Sequence, residues 1–173
     1  MIALANTPVL ETARLTLRAP VATDWPHWHA FARSDRAQYV GGPMPDNVAW
    51  RAFCHIIGMW VARGYGSFVF TEKGADTPLG HAGPWHPWDW PEREIGWTVW
   101  GPEAEGKGYA HEAALAARDH AFGPLGWDTA VSYIDPANAR SIALAERLGA
   151  VLDPDAPKEP GDDDLVYRHR RMA

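Results

Sequence analysis

Cysteine is almost missing from this chain. Cys54 stands alone, which excludes an intrachain disulfide and a cysteine-built zinc cluster. The fold must therefore be held by its own apolar core, and the lack of cross-links fits a reducing compartment. Long apolar runs are missing too: no window approaches the ~20 residues of a membrane-crossing helix. The opening stretch MIALANTPVLETARLTLRAP has neither the basic start nor the apolar centre of a secretory signal. A soluble cytoplasmic protein with no membrane partner is the expectation. Basic charge is in short supply, with 16 Lys and Arg against 22 Asp and Glu, a net charge of -6 and a pI near 5.7. That balance argues against a nucleic-acid binder that works by neutralising phosphates. It mildly favours cationic or amine partners, although an acidic surface more often serves solubility alone.

At 173 residues the chain can bury one real core but not two comfortable ones. No repeat or linker divides it, so one domain over residues 1–173 is expected. The segment RLTLRAP alternates Leu15 and Leu17 with polar neighbours and reads as a first strand. Thr23 or Asp24 can cap a helix through WPHWHAFARSD, with Pro26 tolerated in its first turn. Trp50, Phe53, Ile57, Trp60 and Val61 recur at helical spacing over 47–63, and Gly64 closes that helix. YGSFVFTEK, PLGHAGPW and REIGWTVW read as three strands, the last with Ile95, Trp97 and Val99 on one face. A helix over 109–122, a strand DTAVSYI and a helix NARSIALAERLGA follow, the latter ending at Gly149 as a left-handed cap. A Pro/Asp-rich loop then leads to a last strand, LVYRHR. This order implies an α/β fold: a mixed, mostly antiparallel sheet of about six to seven strands with helices on both faces.

The chemistry concentrates where the strand ending at Trp100 gives way to the helix at Tyr109. GPEAEGKGYAHEAA places two glycines around Lys107 at a helix N-terminus, where unpaired N–H groups attract anions and glycine lets the backbone approach them. It is not a P-loop, because Lys107 is followed by Gly108 rather than Ser or Thr. It is not a dinucleotide fingerprint either, because His111 stands where the third glycine belongs. EGKGYA instead resembles the Q/R-x-x-G-x-G/A pyrophosphate loop of the GNAT superfamily of N-acetyltransferases, with Gly108 and Ala110 as its small residues. GKGYAxEA is most similar to the RimJ/RimL-like branch, which acetylates protein N-termini or small amines. DPANARSIALAERLGAVL also resembles a family segment, N-x-x-S-x-x-x-x-E-K-L-G-F, with Asn138, Ser141, Glu146, Leu148 and Gly149 in register. The element order agrees over nearly the whole chain.

The resemblance implies acetyl-CoA as cosubstrate, no metal, and direct attack of an amine on the thioester. It assigns the diphosphate to backbone N–H groups of Gly106, Lys107, Gly108, Tyr109 and Ala110. His111, where threonine is usual, lies within reach of a phosphate. Glu105 departs from the family's Gln or Arg, and its carboxylate is expected to turn away from the phosphates. The strand end Thr98, Val99, Trp100 should run beside the pantetheine arm, with the amide of Val99 or Trp100 on the thioester oxygen. Asn138 would bond the pantetheine amides, cap its own helix, or both. Many relatives protonate the departing thiolate with a tyrosine; here that position is Ala145, and Ser141, one turn earlier, becomes the catalytic candidate, unless it only caps. An alkyl ammonium near pKa 10.4 needs a base. Glu94 matches a position where relatives carry one that works through water, and it reads equally as a solvent-facing strand end. Asp135 reads more simply as a turn residue.

Other features stay open. The eight histidines show no convincing ligand spacing, since His27 and His29 do not share a helix face, and His81 is a pocket polar group at most. Trp85, Trp88, Trp90, Trp97 and Trp100 crowd one stretch, where capture of a cationic amine, sheet core and a homodimer contact are all readings. GDDDL is either a lure for a cation or a solvated turn. A non-catalytic acyl-CoA-binding module with a GNAT fold is the alternative, motivated by Ala145 and Glu105.

Overall fold

The computed structural model describes residues 4–158 and 161–171. Its strands are β1 (Leu10–Glu11), β2 (Leu15–Arg18), β3 (Phe68–Glu72), β4 (Pro78–Trp85), β5 (Glu94–Val99), β6 (Thr129–Ile134), β7 (Val151–Leu152) and β8 (Leu165–Arg170). Its helices are α1 (Trp25–Ala32), α2 (Asp46–Arg63), α3 (Tyr109–Phe122) and α4 (Ala139–Arg147). The strands form one sheet in the order β1-β2-β3-β4-β5-β6-β8-β7. The sheet is antiparallel throughout except between β5 and β6. The mixed sheet anticipated from sequence is thus present, but with eight strands rather than six to seven. Beyond the six strands named above come β1, which pairs with Thr16 and Leu17, and β7, which pairs with Tyr167 and Arg168; two residues each are too few to show a two-residue period.

Cross-strand register explains the two layers. Phe68, Ala82 and Trp97 share one row, as do Phe70, Gly80 and Val99, and these rows face α3 and α4. Helix α3 lies close to the sheet because Ala113, Ala114, Ala117 and Ala121 are fully buried along it. The opposite face carries Val69 and Trp100, which pack with Trp28 and Phe31 of α1 and Phe53 and Ile56 of α2. Burying a large side chain of this kind contributes about 1.5–3 kcal/mol. Helix α2 is rotated from the expected face. It buries Ala49, Phe53, Ile56, Met59 and Trp60, while Trp50 is 51% and Val61 73% exposed. Asp24 precedes α1 as expected, but its buried carboxylate takes two bonds from Arg18, at 2.7 and 2.8 Å, rather than capping the helix.

The feature that positions the site is a failure of pairing. β5 and β6 match only at Glu94 and Val131. The Ser132 hydroxyl still donates to the Ile95 carbonyl at 2.6 Å; beyond that tie the strands diverge. Backbone groups of β5 on that side are left facing a gap through the sheet.

Candidate active site

A cleft of about 440 Å³ occupies this gap and opens to both layers. From the α3–α4 layer it is lined by Trp97, Asn138 and Ser141, and from the other by Trp28, Ile56, His81 and Trp85. Four residues singled out from sequence (Glu94, Thr98, Asn138 and Ser141) therefore meet in one cavity.

Its floor on the α1–α2 side follows from the register of β4 and β5. Trp85 lies opposite Glu94, Gly83 opposite Gly96, and His81 opposite Thr98. Partners directly across a ladder share a face, so two glycines stand between the acid and the hydroxyl; Gly96 lines the cleft, and Ser67 lies against Gly83. The Thr98 hydroxyl lies 2.8 Å from His81 Nδ1, and the Trp100 indole is 3.1 Å from the same nitrogen. Burial pushes the His81 pKa down to about 4, so the ring is neutral at ordinary pH and adds no charge to the cavity.

Glu94 keeps a partial opening to the cleft, yet protein surrounds its carboxylate closely enough that loss of water dominates. Burial raises its pKa to about 8, aided by the charge of Asp164, against the stabilising hydrogen bond from Trp90. The Trp90 indole donates to Glu94 Oε2 at 2.7 Å. A carboxyl titrating near the working pH is suited to accept a proton. Asp135 instead accepts the Ala137 amide at 2.7 Å within its turn, although it also lines the cleft.

On the other layer, Asn138 Oδ1 accepts the Ser141 amide at 3.2 Å, which makes it the side-chain cap of α4. Ser141 Oγ in turn accepts the Trp97 indole N–H at 3.3 Å. With a lone pair engaged by Trp97, its own O–H proton is left to point elsewhere. The two amides named for the thioester oxygen differ. The Trp100 amide donates to the Leu79 carbonyl at 2.8 Å and is spent on the sheet. In an antiparallel ladder the N–H direction alternates, so the Val99 amide points to the gap, as does that of Trp97.

The glycine loop follows. Gly106 and Gly108 have φ of +72° and +79°, left-handed values that a side chain rarely adopts, and a Cβ at Gly106 would meet open space. Gly108 is the residue before α3, so the amides of Tyr109, Ala110 and His111 belong to the helix's unpaired first turn. This corner is braced from below. Arg14 donates to the Lys107 carbonyl at 2.9 Å and pairs with Glu112 at 2.7 Å, while the Tyr109 hydroxyl bonds Glu72. Alternating left-handed glycines at a fourteen-residue helix fit a diphosphate, a backbone concavity being an anion site.

Glu105 has a task that sequence reasoning missed. Its carboxylate joins Arg36 at 2.8 Å and Arg140 at 3.0 Å. Partial burial works against its charge, but the hydrogen bonds and charges of Arg36 and then Arg140 outweigh that and hold its pKa below the usual range. Arg36 also donates to the carbonyls of Val99 and Trp100, at 3.2 and 3.3 Å. Trp90 and Asp164 lay in stretches with several readings, and the Gly83–Gly96 pair was unassigned. The pair's one sequence signal was a glycine inside each strand, a mark of close approach. Among the Trp-rich stretch, Trp100 is core, Trp85 and Trp90 line the cleft, and Trp88 is 93% exposed. Among the described residues no three His, Cys, Asp or Glu side chains converge on a metal position, and no helix is long and apolar enough to cross a membrane.

A sheet that splays open between two parallel strands, with a glycine corner starting the next helix, defines an acetyltransferase architecture. Residues 14–151 match the family described as the acetyltransferase (GNAT) domain, and the chain belongs to that family. An acetyltransferase from Agrobacterium tumefaciens is 40% identical over 99% of both chains, with a TM-score of 0.91. A Bordetella pertussis protein assigned to the same family is 27% identical, over 93% of this chain and 98% of that one, with a TM-score of 0.77. The spermidine N-acetyltransferase of Vibrio cholerae, solved with CoA and spermine, shares the fold at 19% identity and a TM-score of 0.69, over 91% of this chain and 94% of that one. The chain is accordingly an acyltransferase.

Proposed function

We propose that this protein, one domain over 1–173 of RimJ/RimL-like type, is an acetyl-CoA-dependent N-acetyltransferase acting on a primary amine. The observation that carries the reading is the cleft through the sheet, which brings a proton acceptor on one layer, Glu94, together with a hydroxyl on the other, Ser141. Bound acetyl-CoA supplies the activated acetyl group; the remaining tasks fall to the chain.

The amides of Gly106 to Ala110, with His111 beside them, hold the diphosphate. Thr98, Val99 and Trp100 flank the pantetheine arm, Asn138 bonds its amides, and the Val99 N–H stabilises negative charge on the thioester oxygen. Glu94 takes the ammonium proton, directly or through a water, and its raised pKa keeps it competent near neutral pH. Ser141, oriented by Trp97, relays a proton to the departing sulfur and takes one back from water, so that CoA leaves as the thiol. Positioning and electrostatics supply the acceleration, without a covalent step on the protein.

Release of CoA thiol across an amine panel tests the reading, alongside thermal stabilisation by acetyl-CoA. Turnover of at least one amine is expected. Stabilisation without turnover would instead identify a binding module.

A further inference from the structure

The acceptor side of the cleft is more specific than "an amine". Resting on the reading above, we propose that the acceptor is a compact primary amine with one ammonium on a flat aromatic or apolar body. It would bind in the α1–α2 layer with its ammonium toward Glu94 and its body over Gly96.

Size is the first argument. The whole cleft, including the Asn138 and Ser141 side reserved for the thioester arm, is about 440 Å³, near the low end of the roughly 300–1,000 Å³ of small-molecule sites. The share left for the acceptor suits a small molecule. Shape is the second. Ser67 and Gly96 line a shallow floor, to which Gly96 adds no side chain. Trp85, Trp28, Met44 and Ile56 wall it, and the His55 ring packs on Trp85 at 4.8 Å. Such walls reward apolar or aromatic surface by burial and stacking.

Charge is the third argument. Glu94, Asp135 and Asp164 all line the cleft, and Asp164 lies near enough to influence Glu94 and to feel Asp135, so the acids gather at one end beside Trp90 and Tyr133, whose rings meet edge-on at 5.8 Å. Among the described residues no lysine or arginine lines the cleft, so one ammonium is welcome at that end. A polyamine's second ammonium would face the apolar wall, where an unpaired charge is costly. A peptide would bring amide groups to the same wall, where His81 and Thr98 bond each other and Trp100 and leave a single ring nitrogen, His81 Nε2, to meet them. Unpaired buried amides disfavour binding.

Three acceptors decide: phenethylamine, spermidine and an alanine-initiated tripeptide, assayed by CoA release at saturating acetyl-CoA. Phenethylamine should exceed both in kcat/KM by roughly 10-fold or more. Gly96→Ala, whose Cβ would sit an ordinary 3.5 Å from Glu94 Oε1, should raise the phenethylamine KM about 10-fold without changing the acetyl-CoA-induced shift in Tm. Preference for spermidine or the tripeptide overturns this inference while leaving the acetyltransferase reading intact. Turnover of none of the three, nor of any amine in the wider panel, overturns both.

Discussion

The Trp97 indole donates to the Ser141 hydroxyl at 3.3 Å, joining β5 to α4 across the gap in the sheet. Trp97 is therefore a strut as well as core, and it orients the hydroxyl proposed to serve the sulfur. Ser141→Ala should lower kcat by about 10²-fold, as for loss of a general acid, with the KM for acetyl-CoA nearly unchanged. Trp97→Phe, which keeps the ring bulk but removes the donor, should give a smaller loss of the same kind. Steady-state kinetics on both variants check this; a Ser141→Ala enzyme with full kcat would assign the proton to water.

Glu94 sets the pH dependence. Its carboxyl titrates near 8 because burial, then Asp164, oppose its charge. Activity limited by its deprotonated form should rise with pH and level off above about 8. Glu94→Gln should remove that limb and lower kcat/KM by roughly 10²–10⁴-fold. The same shift has a stability sign. Between the ordinary glutamate value of 4.5 and about 8 the folded form holds a proton that the unfolded form has lost, so stability falls as pH rises through that window. The Tm of Glu94→Gln should show less of this decline.

Two neutral histidines act at the other end of the scale. His81 and His169 are both pushed down to about 4 from 6.5, chiefly by burial. Over that interval the unfolded chain binds more protons, so their contribution is full above 6.5 and lost as pH falls toward 4. The His169 ring bonds the Ser132 hydroxyl at 3.0 Å at the apex of the splay. Acid unfolding followed by circular dichroism should shift to lower pH in His169→Gln, provided the side-chain amide keeps the Ser132 bond.

Gly108 is the stringent test of the anion corner. It has φ +79° beside the Arg14 guanidinium, 3.5 Å from a Cβ placed there. Gly108→Glu should abolish both thiol release and the stabilisation by acetyl-CoA while leaving the far-ultraviolet circular dichroism of the fold. Retained activity would move the diphosphate elsewhere.

Glu105→Gln removes the partner that Arg36 and Arg140 share. Acetyl-CoA binding should tighten a few-fold, because two cations near the corner lose their internal anion. Tm should fall by only a few degrees, since partly exposed pairs of this kind are each worth up to about 1 kcal/mol. Calorimetric titration and a melt measure the two effects separately.

Much of this was legible in the chain, for reasons that can be named. Leu15 and Leu17 alternate, α3 is a run of alanines, and Gly64 and Gly149 both take the left-handed φ that ends a helix, so element order could be read. The turn of α2 could not be read as well. Its apolar residues spread beyond one face, and tertiary contact chose Ile56 and Met59 over Trp50 and Val61. The glycine corner was visible because its chemistry is local. What was hidden depends on residues distant in sequence. Arg36 and Arg140 reach Glu105 from separate elements, and Gly83 meets Gly96 only once β4 and β5 are in register.

The Glu105 cluster gives the anion corner a counterion of its own. Arg36 and Arg140 share the single carboxylate of Glu105, and Arg14 pairs with Glu112, so an arriving diphosphate meets cations whose charge is partly offset. Binding there is an exchange of one anion's company for another's, not the filling of a bare positive hole. Dissolved salt has less to screen in such a site than around unpaired cations, so the affinity for acetyl-CoA should change less with ionic strength than the number of nearby arginines would imply. In Glu105→Gln that insulation is gone, and the salt dependence should steepen.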